Sequence, residues 1–124
     1  METRHTMFGM QEFLKTGAEY MVWVQDHVII ENDSFSSLKF LSKKEEVVCL
    51  RAGNDYCGMV AYLFSRSFIQ TILPVLEKEF KFKPIDWIID DQKVKSKLQP
   101  RRIRKVFHQG KVSSNGAIRK VDRL

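Results

Sequence analysis

The stretch YMVWVQDHVII, residues 20–30, decides the fold class. It holds two apolar runs, residues 20–24 and 28–30, with three polar residues between them. Most of the apolar side chains are β-branched or aromatic, which favours strands. Continuous rather than alternating apolar runs of this length are typical of strands covered on both faces of a sheet. The stretch therefore predicts two strands of a buried sheet.

Periodic segments on either side of this stretch predict further strands and helices. Further strands are predicted over residues 46–50, 58–64 and 102–107. Helices are predicted over about residues 6–16, 35–41, 65–80 and 84–98, with Ser65 as the cap of the third and Pro84 in the first turn of the fourth. Helices that alternate with buried strands indicate an α/β protein, here with a mostly parallel mixed sheet and flanking helices.

Length and charge limit the possible classes of protein. A chain of 124 residues, 44% of them hydrophobic, supports one domain with a modest core, which excludes a two-domain enzyme and a wholly disordered chain. Residues 92–124 hold eleven basic residues and one acidic residue, a net charge of +10, whereas residues 1–91 hold ten basic and fourteen acidic residues, a net charge of −4. We expect a domain over residues 1–108 and a Ser/Gly/basic tail over residues 109–124.

The cysteines and the termini bear on the compartment. Cys49 and Cys57 do not have a metal-binding spacing, and two reduced, buried thiols are the simplest interpretation, with one disulfide as the alternative. No apolar run approaches the roughly 20 residues that cross a bilayer. The first residues lack the apolar core of a signal peptide, so the chain as written is expected to be cytoplasmic.

Polar residues follow the first apolar run at the point where the predicted strand ends. In open α/β sheets, ligands bind at the carboxyl ends of the strands. Asp26 and His27 offer a carboxylate and an imidazole, and both groups bind divalent transition metals. They are candidate metal ligands, although adjacent side chains on a strand point to opposite faces, and a solvated turn is the alternative interpretation.

Two other sets of residues are candidates for catalysis or ligand binding. Asp86 and Asp90 are four residues apart and lie on one face of a predicted helix, where a carboxylate that faces a cleft can act as a general base. An acidic helix start is the structural alternative. His108 ends the last predicted strand and, with Ser113 and Ser114 in the tail, can bind a metal or a phosphate-bearing ligand. A structural or exposed histidine is the alternative there.

Three segments together resemble one enzyme family. The segment KPIDWIID, residues 83–90, resembles the K-P-I-D-W-L-L-D segment of the alpha-1,3-mannosyl-glycoprotein 4-beta-N-acetylglucosaminyltransferases, or N-acetylglucosaminyltransferase IV family. The segment FHQGKVSS, residues 107–114, is similar to a family stretch with His, Gly and Ser-Ser at matching intervals. Residues 20–40 resemble the family's strand, acidic motif and following helix. The resemblance covers about residues 10–124.

The resemblance implies a GT-A type nucleotide-diphospho-sugar transferase fold, with residues 1–108 as the C-terminal half of that domain. The family transfers N-acetylglucosamine from UDP-N-acetylglucosamine to a mannose of the N-glycan core. It acts in the Golgi and uses a divalent ion, usually manganese. The metal stabilises the departing diphosphate, and a carboxylate deprotonates the acceptor hydroxyl.

The resemblance also implies a role for each candidate residue. Asp26 and His27 would lie at the metal motif. His108, with Ser113 and Ser114, would lie near the metal and the diphosphate. The acceptor-side carboxylate would come from helix residues 84–98, and Asp86 and Asp90 are the two candidates.

The sequence departs from the family at the metal motif. The family has Glu-Asp-Asp where this chain has Gln25, Asp26 and His27. Two carboxylates are therefore replaced, and at the last position a neutral nitrogen ligand stands where an anionic oxygen would bind a hard cation. We expect metal affinity to fall steeply and the chain to be inactive on its own.

The expected partners depend on whether the family resemblance or the basic C-terminal segment indicates the function. The family implies UDP-N-acetylglucosamine and an N-glycan acceptor. The family's earlier strands, membrane anchor and carbohydrate-binding domain are not expected in this chain, so an exposed sheet edge is predicted to pair with a full-length glycosyltransferase and modulate it. The alternative is a small intracellular binding module whose basic C-terminal segment contacts nucleic acid or anionic membrane. No nucleic-acid recognition motif accompanies that segment.

Overall fold

The computed structural model describes residues 2–30, 46–53, 57–98 and 102–109. In chain order the elements in these ranges are α1 (Glu2–Leu14), β1 (Tyr20–Val24), β2 (Val28–Ile30), β3 (Val47–Arg51), β4 (Ala61–Ser65), α2 (Arg66–Glu79), α3 (Ile85–Lys95) and β5 (Arg102–His108). The predicted elements in these ranges are confirmed, whereas the helix predicted over residues 35–41 and nearly all of the tail lie outside them. Within these ranges, no helix has the length and apolar character needed to span a membrane.

The five strands form one mixed sheet in the order β1-β4-β3-β5-β2. The pairs β1/β4, β4/β3 and β5/β2 are antiparallel, and β3/β5 is parallel. The mixed α/β class is confirmed, but the expectation of a mostly parallel sheet is wrong for the described strands. The connection between β3 and β4 spans only residues 52–60 and holds no described helix, and parallel neighbours need a crossover of a dozen or more residues.

Alternating side chains on β3 and β4 divide the core into two clusters. Cys49 and Phe64 belong to one cluster, the helix-side cluster, together with the buried hydrophobic residues of all three described helices. Leu50 and Leu63 belong to the second cluster on the opposite face. Every residue of β3 and β4 is buried. These two strands are therefore covered on both faces, as the sequence predicted for buried strands.

The two strands of residues 20–30 have a different environment from the one predicted. β1 and β2 are the two outer strands of the sheet, and their residues are half-buried or exposed. The prediction that these strands are covered on both faces is wrong. Their apolar content resembles that of β3 and β4, but the order of the strands leaves each of them with one described neighbour instead of two.

Two helix starts agree with the sequence. Ser65 caps α2, since its Oγ accepts a hydrogen bond of 3.1 Å from the N–H of Phe68. Pro84 directly precedes α3. Its missing N–H costs nothing there, because the N–H groups at the start of a helix have no partner inside the helix. Both signals are local in sequence, which explains why they could be read without the tertiary structure.

Arg66, the first residue of α2, holds the C-terminal end of α1. The last carbonyl groups of a helix have no partner inside the helix, and a cation there also complements the helix dipole. The guanidinium donates hydrogen bonds to four carbonyl oxygens, those of Phe13 (3.3 Å), Leu14 (3.1 Å), Ala18 (2.9 Å) and Thr16. It also lies 5.0 Å from the ring centre of Phe13. One side chain thus ties α1 to the start of α2.

A disulfide joins Cys49 of β3 to Cys57, with the two Cα atoms 6.0 Å apart. Both residues are buried and belong to the helix-side cluster. Burial was predicted correctly, but the preferred interpretation of two reduced thiols is wrong, and the alternative of one disulfide holds. The chain turns back between β3 and β4, so Cys57 comes to lie against β3. Spacing along the sequence does not fix that distance.

Candidate functional site

Asp26 and His27 form the turn between β1 and β2. His27 has a φ of 58°, in the left-handed region that Asn, Asp and His tolerate better than other side chains with a Cβ. The side chains of Asp26 and His27 are 81% and 72% exposed, and Asp26 Oδ2 lies 3.6 Å from His27 Nε2. The opposite-face geometry of a strand does not apply here, because the two residues lie in the turn. The expected solvated turn is present, and in it the two candidate ligands lie side by side.

The pairing of β2 with β5 brings His108 to this turn. Val28, the first residue of β2, pairs with His108. The N–H of Gln109 donates a hydrogen bond of 2.6 Å to the carbonyl oxygen of His27. His108 itself is buried, in contrast to the exposed turn. Two groups of predicted site residues that are far apart in sequence therefore meet at one end of the sheet.

A concave site of about 300 Å³ opens beside the same turn, between α1 and the end of β1. It is lined by His5, Thr6, Trp23, Val24, Gln25 and Asp26. This lining combines an aromatic face with imidazole, hydroxyl, amide and carboxylate groups. Four of the six lining residues are polar, so the site offers mainly hydrogen-bonding groups beside one aromatic side chain.

The sequence pattern indicates Gln25 and Asp26 as candidate site residues, but it does not indicate that residues of α1 line the same pocket. His5 and Thr6 reach the pocket only because α1 packs beside β1, and no local pattern predicts that packing. The position of Trp23, just before the polar residues at the end of a strand, is a weak indication in the sequence that it lies near a site.

Asp86 and Asp90 lie on α3, away from the lining of this pocket. Asp86 is in the first turn of the helix, as the acidic helix start predicted. Asp90 Oδ1 forms an ion pair of 3.0 Å with Lys93 Nζ. Lys93 Nζ in turn lies 5.9 Å from the ring centre of Tyr62, which pairs with Trp23 across β1 and β4. Neither Asp86 nor Asp90 lines the pocket.

Ser113, Ser114 and a divalent metal are the remaining parts of the site that the sequence predicts. Ser113 and Ser114 lie outside the described residues. Within the described ranges, no three His, Cys, Asp or Glu side chains are grouped so that they could hold a metal ion. Asp26 and His27 supply two adjacent groups, fewer than the roughly six ligands that hard divalent ions take in total. The described residues therefore do not form a complete metal site by themselves.

Comparison of the chain with models of known protein families finds no match. A search of curated proteins likewise finds no similar protein. The likeness to N-acetylglucosaminyltransferase IV therefore rests on the three sequence segments quoted above.

Proposed function

We propose that the chain is a GT-A type glycosyltransferase-family domain related to N-acetylglucosaminyltransferase IV, with a remnant donor site and impaired transfer. One observation carries the proposal: the turn of Asp26 and His27 lies beside His108 through the pairing of β2 with β5. The segments that resemble the family's metal motif and its C-terminal histidine stretch are distant in the chain, and a shared site requires them to be neighbours. The pocket beside Trp23 supports a sugar-bearing ligand, UDP-N-acetylglucosamine by family resemblance.

The impairment follows from the residues at positions 25 and 27. Gln25 and His27 remove two negative charges from the place where the family binds its divalent ion. A bound ion supplies Lewis-acid stabilisation of a departing diphosphate, and losing such preorganised charge costs orders of magnitude in rate. The N-glycan acceptor side is proposed to involve Asp86 or Asp90.

The disulfide bears on the compartment. Disulfides form and persist in oxidising compartments and are rare in the cytosol. The Cys49–Cys57 disulfide therefore supports a lumenal location, such as the Golgi of the family, over the cytoplasmic location expected from the sequence as written.

Restoring the family's acidic motif is expected to restore metal affinity. In Gln25→Glu/His27→Asp, two carboxylates flank Asp26, and Asp at position 27 tolerates the left-handed backbone of the turn. We expect the dissociation constant for Mn²⁺ to fall by about tenfold or more with UDP-N-acetylglucosamine present, equivalent to about 1.4 kcal/mol. Isothermal titration calorimetry of the wild type and the variant measures it.

A matched control distinguishes a specific Mn²⁺ site from a nonspecific attraction of the ion to added negative charge. Ala18→Asp/Gln70→Glu adds the same two negative charges at exposed positions. It should leave the affinity for Mn²⁺ within about twofold, since exposed charges more than about 10 Å from a site are largely screened. A folded Gln25→Glu/His27→Asp variant with no gain over this control would contradict the proposal.

With transfer impaired, we propose that the chain acts by association with a full-length glycosyltransferase. The strands β1 and β2, which are half-buried or exposed and lie at the two ends of the described sheet, are the surfaces that favour this role, because an edge strand is a template for pairing. Co-purification with a full-length N-acetylglucosaminyltransferase IV at matched salt tests it. Recovery of the transferase without the chain would remove this part of the proposal.

The basic C-terminal segment supports a second candidate function. Lys95, Lys97 and Arg104 are exposed and belong to the segment of net charge +10. If this segment binds phosphates of nucleic acid or of anionic lipid, affinity should fall by about 100-fold between about 50 and about 200 mM salt for some four phosphate contacts. Fluorescence anisotropy with single-stranded RNA, and co-sedimentation with phosphatidylserine vesicles, measure the two cases. A flat salt response in both would eliminate this candidate.

A further inference from the structure

Helix α3 carries large apolar side chains on its outer face as well as on the face in the core. Ile85, Ile88 and Ile89 are buried in the helix-side cluster. Trp87 and Val94 are instead 60% and 78% exposed. Seven residues, or about two helical turns, separate them, so both lie on one face, about 10 Å apart along the axis. Exposed apolar side chains that lie together mark a binding surface.

The turn before α3 extends this surface. Phe82 in that turn is 82% exposed. The next residue, Lys83, reaches along α3, since its Nζ lies 3.3 Å from Oδ2 of Asp91. Asp91 is four residues after Trp87 and therefore on the same helix face. The ion pair brings the turn to this face, and Phe82, Trp87 and Val94 together are called the apolar patch below.

Positive charge flanks the apolar patch. Residues 81–98 hold five lysines, three aspartates and no arginine. Two of the lysines are neutralised, because Lys83 pairs with Asp91 and Lys93 pairs with Asp90. The other three lysines are exposed and form no ion pair within the described part of the chain: Lys81, Lys95 and Lys97. One adjoins the patch at the turn and two adjoin it at the end of α3, where the segment of net charge +10 begins.

We propose that the apolar patch docks on an anionic membrane surface. Its three side chains enter the boundary between headgroups and acyl chains, where tryptophan and phenylalanine are favoured. The three exposed lysines reach lipid phosphates while their methylene groups lie along apolar surface. This inference rests on the second candidate function, in which the basic segment binds phosphates, and it names the side chains that select lipid. It is independent of the transferase proposal.

The composition of the patch favours lipid over nucleic acid and over a second copy. Single-stranded nucleic acid stacks its bases on aromatic rings and on arginine, whereas Val94 has no ring and residues 81–98 hold no arginine. A second copy would bring like charges together, because lysines flank the patch at both ends. A lipid surface accommodates aromatic and aliphatic side chains alike and supplies the opposite charge.

Co-sedimentation of the full chain with mixed phosphatidylcholine and phosphatidylserine vesicles tests the apolar contacts. Trp87→Ser should lower the partition coefficient by about tenfold or more, and Val94→Leu should raise it by about threefold, because one more methylene is buried. Both positions are exposed, so both variants should fold. A gain in Val94→Leu cannot come from misfolding. Binding of single-stranded RNA, measured by anisotropy, should not change in Val94→Leu.

A matched pair of lysine variants tests the charges. Lys95→Gln should lower the partition coefficient by about fivefold on mixed vesicles, and it should have no effect on pure phosphatidylcholine vesicles. Lys15→Gln removes the same charge near the start of α2, where Arg66 bonds the carbonyl of Leu14. Phe82 lies beyond the other end of α2, and that helix of 14 residues spans about 20 Å. Lys15→Gln should change binding by no more than about twofold.

Tryptophan fluorescence tests the position of the patch directly. The chain holds two tryptophans, so Trp23→Phe leaves Trp87 as the reporter. Mixed vesicles should move its emission to shorter wavelength, and lipids brominated on the acyl chains should quench it. In Trp87→Phe the remaining Trp23, which is half-buried against the helix-side cluster, should show neither effect. Emission of Trp87 at short wavelength without vesicles would show that another part of the chain covers it and would overturn the proposal.

The outcomes separate this inference from the function on which it rests. Vesicle binding that Trp87→Ser does not weaken, or binding of RNA without binding of vesicles, would overturn the inference and leave the second candidate function in place. A flat salt response with both RNA and vesicles would remove both. If Trp23→Phe loses its native circular dichroism, the sedimentation of the variants at the exposed positions 87 and 94 decides.

Discussion

Replacing Phe64 by alanine is expected to lower the free energy of unfolding by about 4 kcal/mol. Phe64 is fully buried on the helix-side face of β4. Its ring stacks against Tyr62 and Phe68, with ring centres 5.1 and 5.6 Å away. Truncation removes both aromatic contacts and leaves a cavity between the sheet and α2, since the surrounding chains relax only in part. Urea unfolding followed by tryptophan fluorescence measures the change.

Phe82 provides the matched control for this prediction. It is also a phenylalanine, but it is 82% exposed in the turn between α2 and α3. Phe82→Ala should change the free energy of unfolding by no more than about 0.5 kcal/mol, as is usual for surface substitutions. Similar losses in the two variants would show that the helix-side cluster does not dominate the stability of the fold.

Removing the disulfide is expected to lower the free energy of unfolding by about 2.5 kcal/mol. Cys49 and Cys57 are separated by eight positions, so the disulfide closes a short loop and restricts the unfolded chain. The double variant Cys49→Ala/Cys57→Ala keeps small apolar side chains at both buried positions. Urea unfolding of the oxidised wild type, the reduced wild type and the double variant measures the effect, and the last two should unfold at similar urea concentrations.

The double variant also serves as the control for the reductant. Adding dithiothreitol should shift the unfolding midpoint of the wild type and leave that of the double variant unchanged. Thiol titration of the denatured wild type without reductant should find no free cysteine. Two free thiols in protein isolated from an oxidising compartment would contradict the disulfide, and would remove its support for a Golgi location.

The sheet shows where sequence patterns succeed and where they fail. The sequence predicts buried strands over residues 20–24 and 46–50, and the corresponding strands β1 and β3 have similar apolar content. Only β3 is buried, because it lies between β4 and β5, while β1 lies at the edge. Hydrophobic pattern indicates that a segment is a strand, but the number of neighbouring strands determines how much of that strand is covered.

The candidate site shows the same division between local and long-range information. Asp26 and His27 could be identified from sequence because polar residues end an apolar run. Their closeness to His108 could not, since it depends on the pairing of β2 with β5. His5 lines the pocket because α1 packs beside β1, which is also a contact between separate elements.

The sequence by itself determined the helices, the strands and the cap at Ser65, because these depend on side chains a few residues apart. Only the tertiary structure decided the order of the described strands, their antiparallel pairs, the Cys49–Cys57 disulfide and the position of β1 at one end of that order. Each of these depends on contacts between segments that do not adjoin in the chain. Such contacts depend on how all the elements pack together, and no single stretch of sequence specifies them.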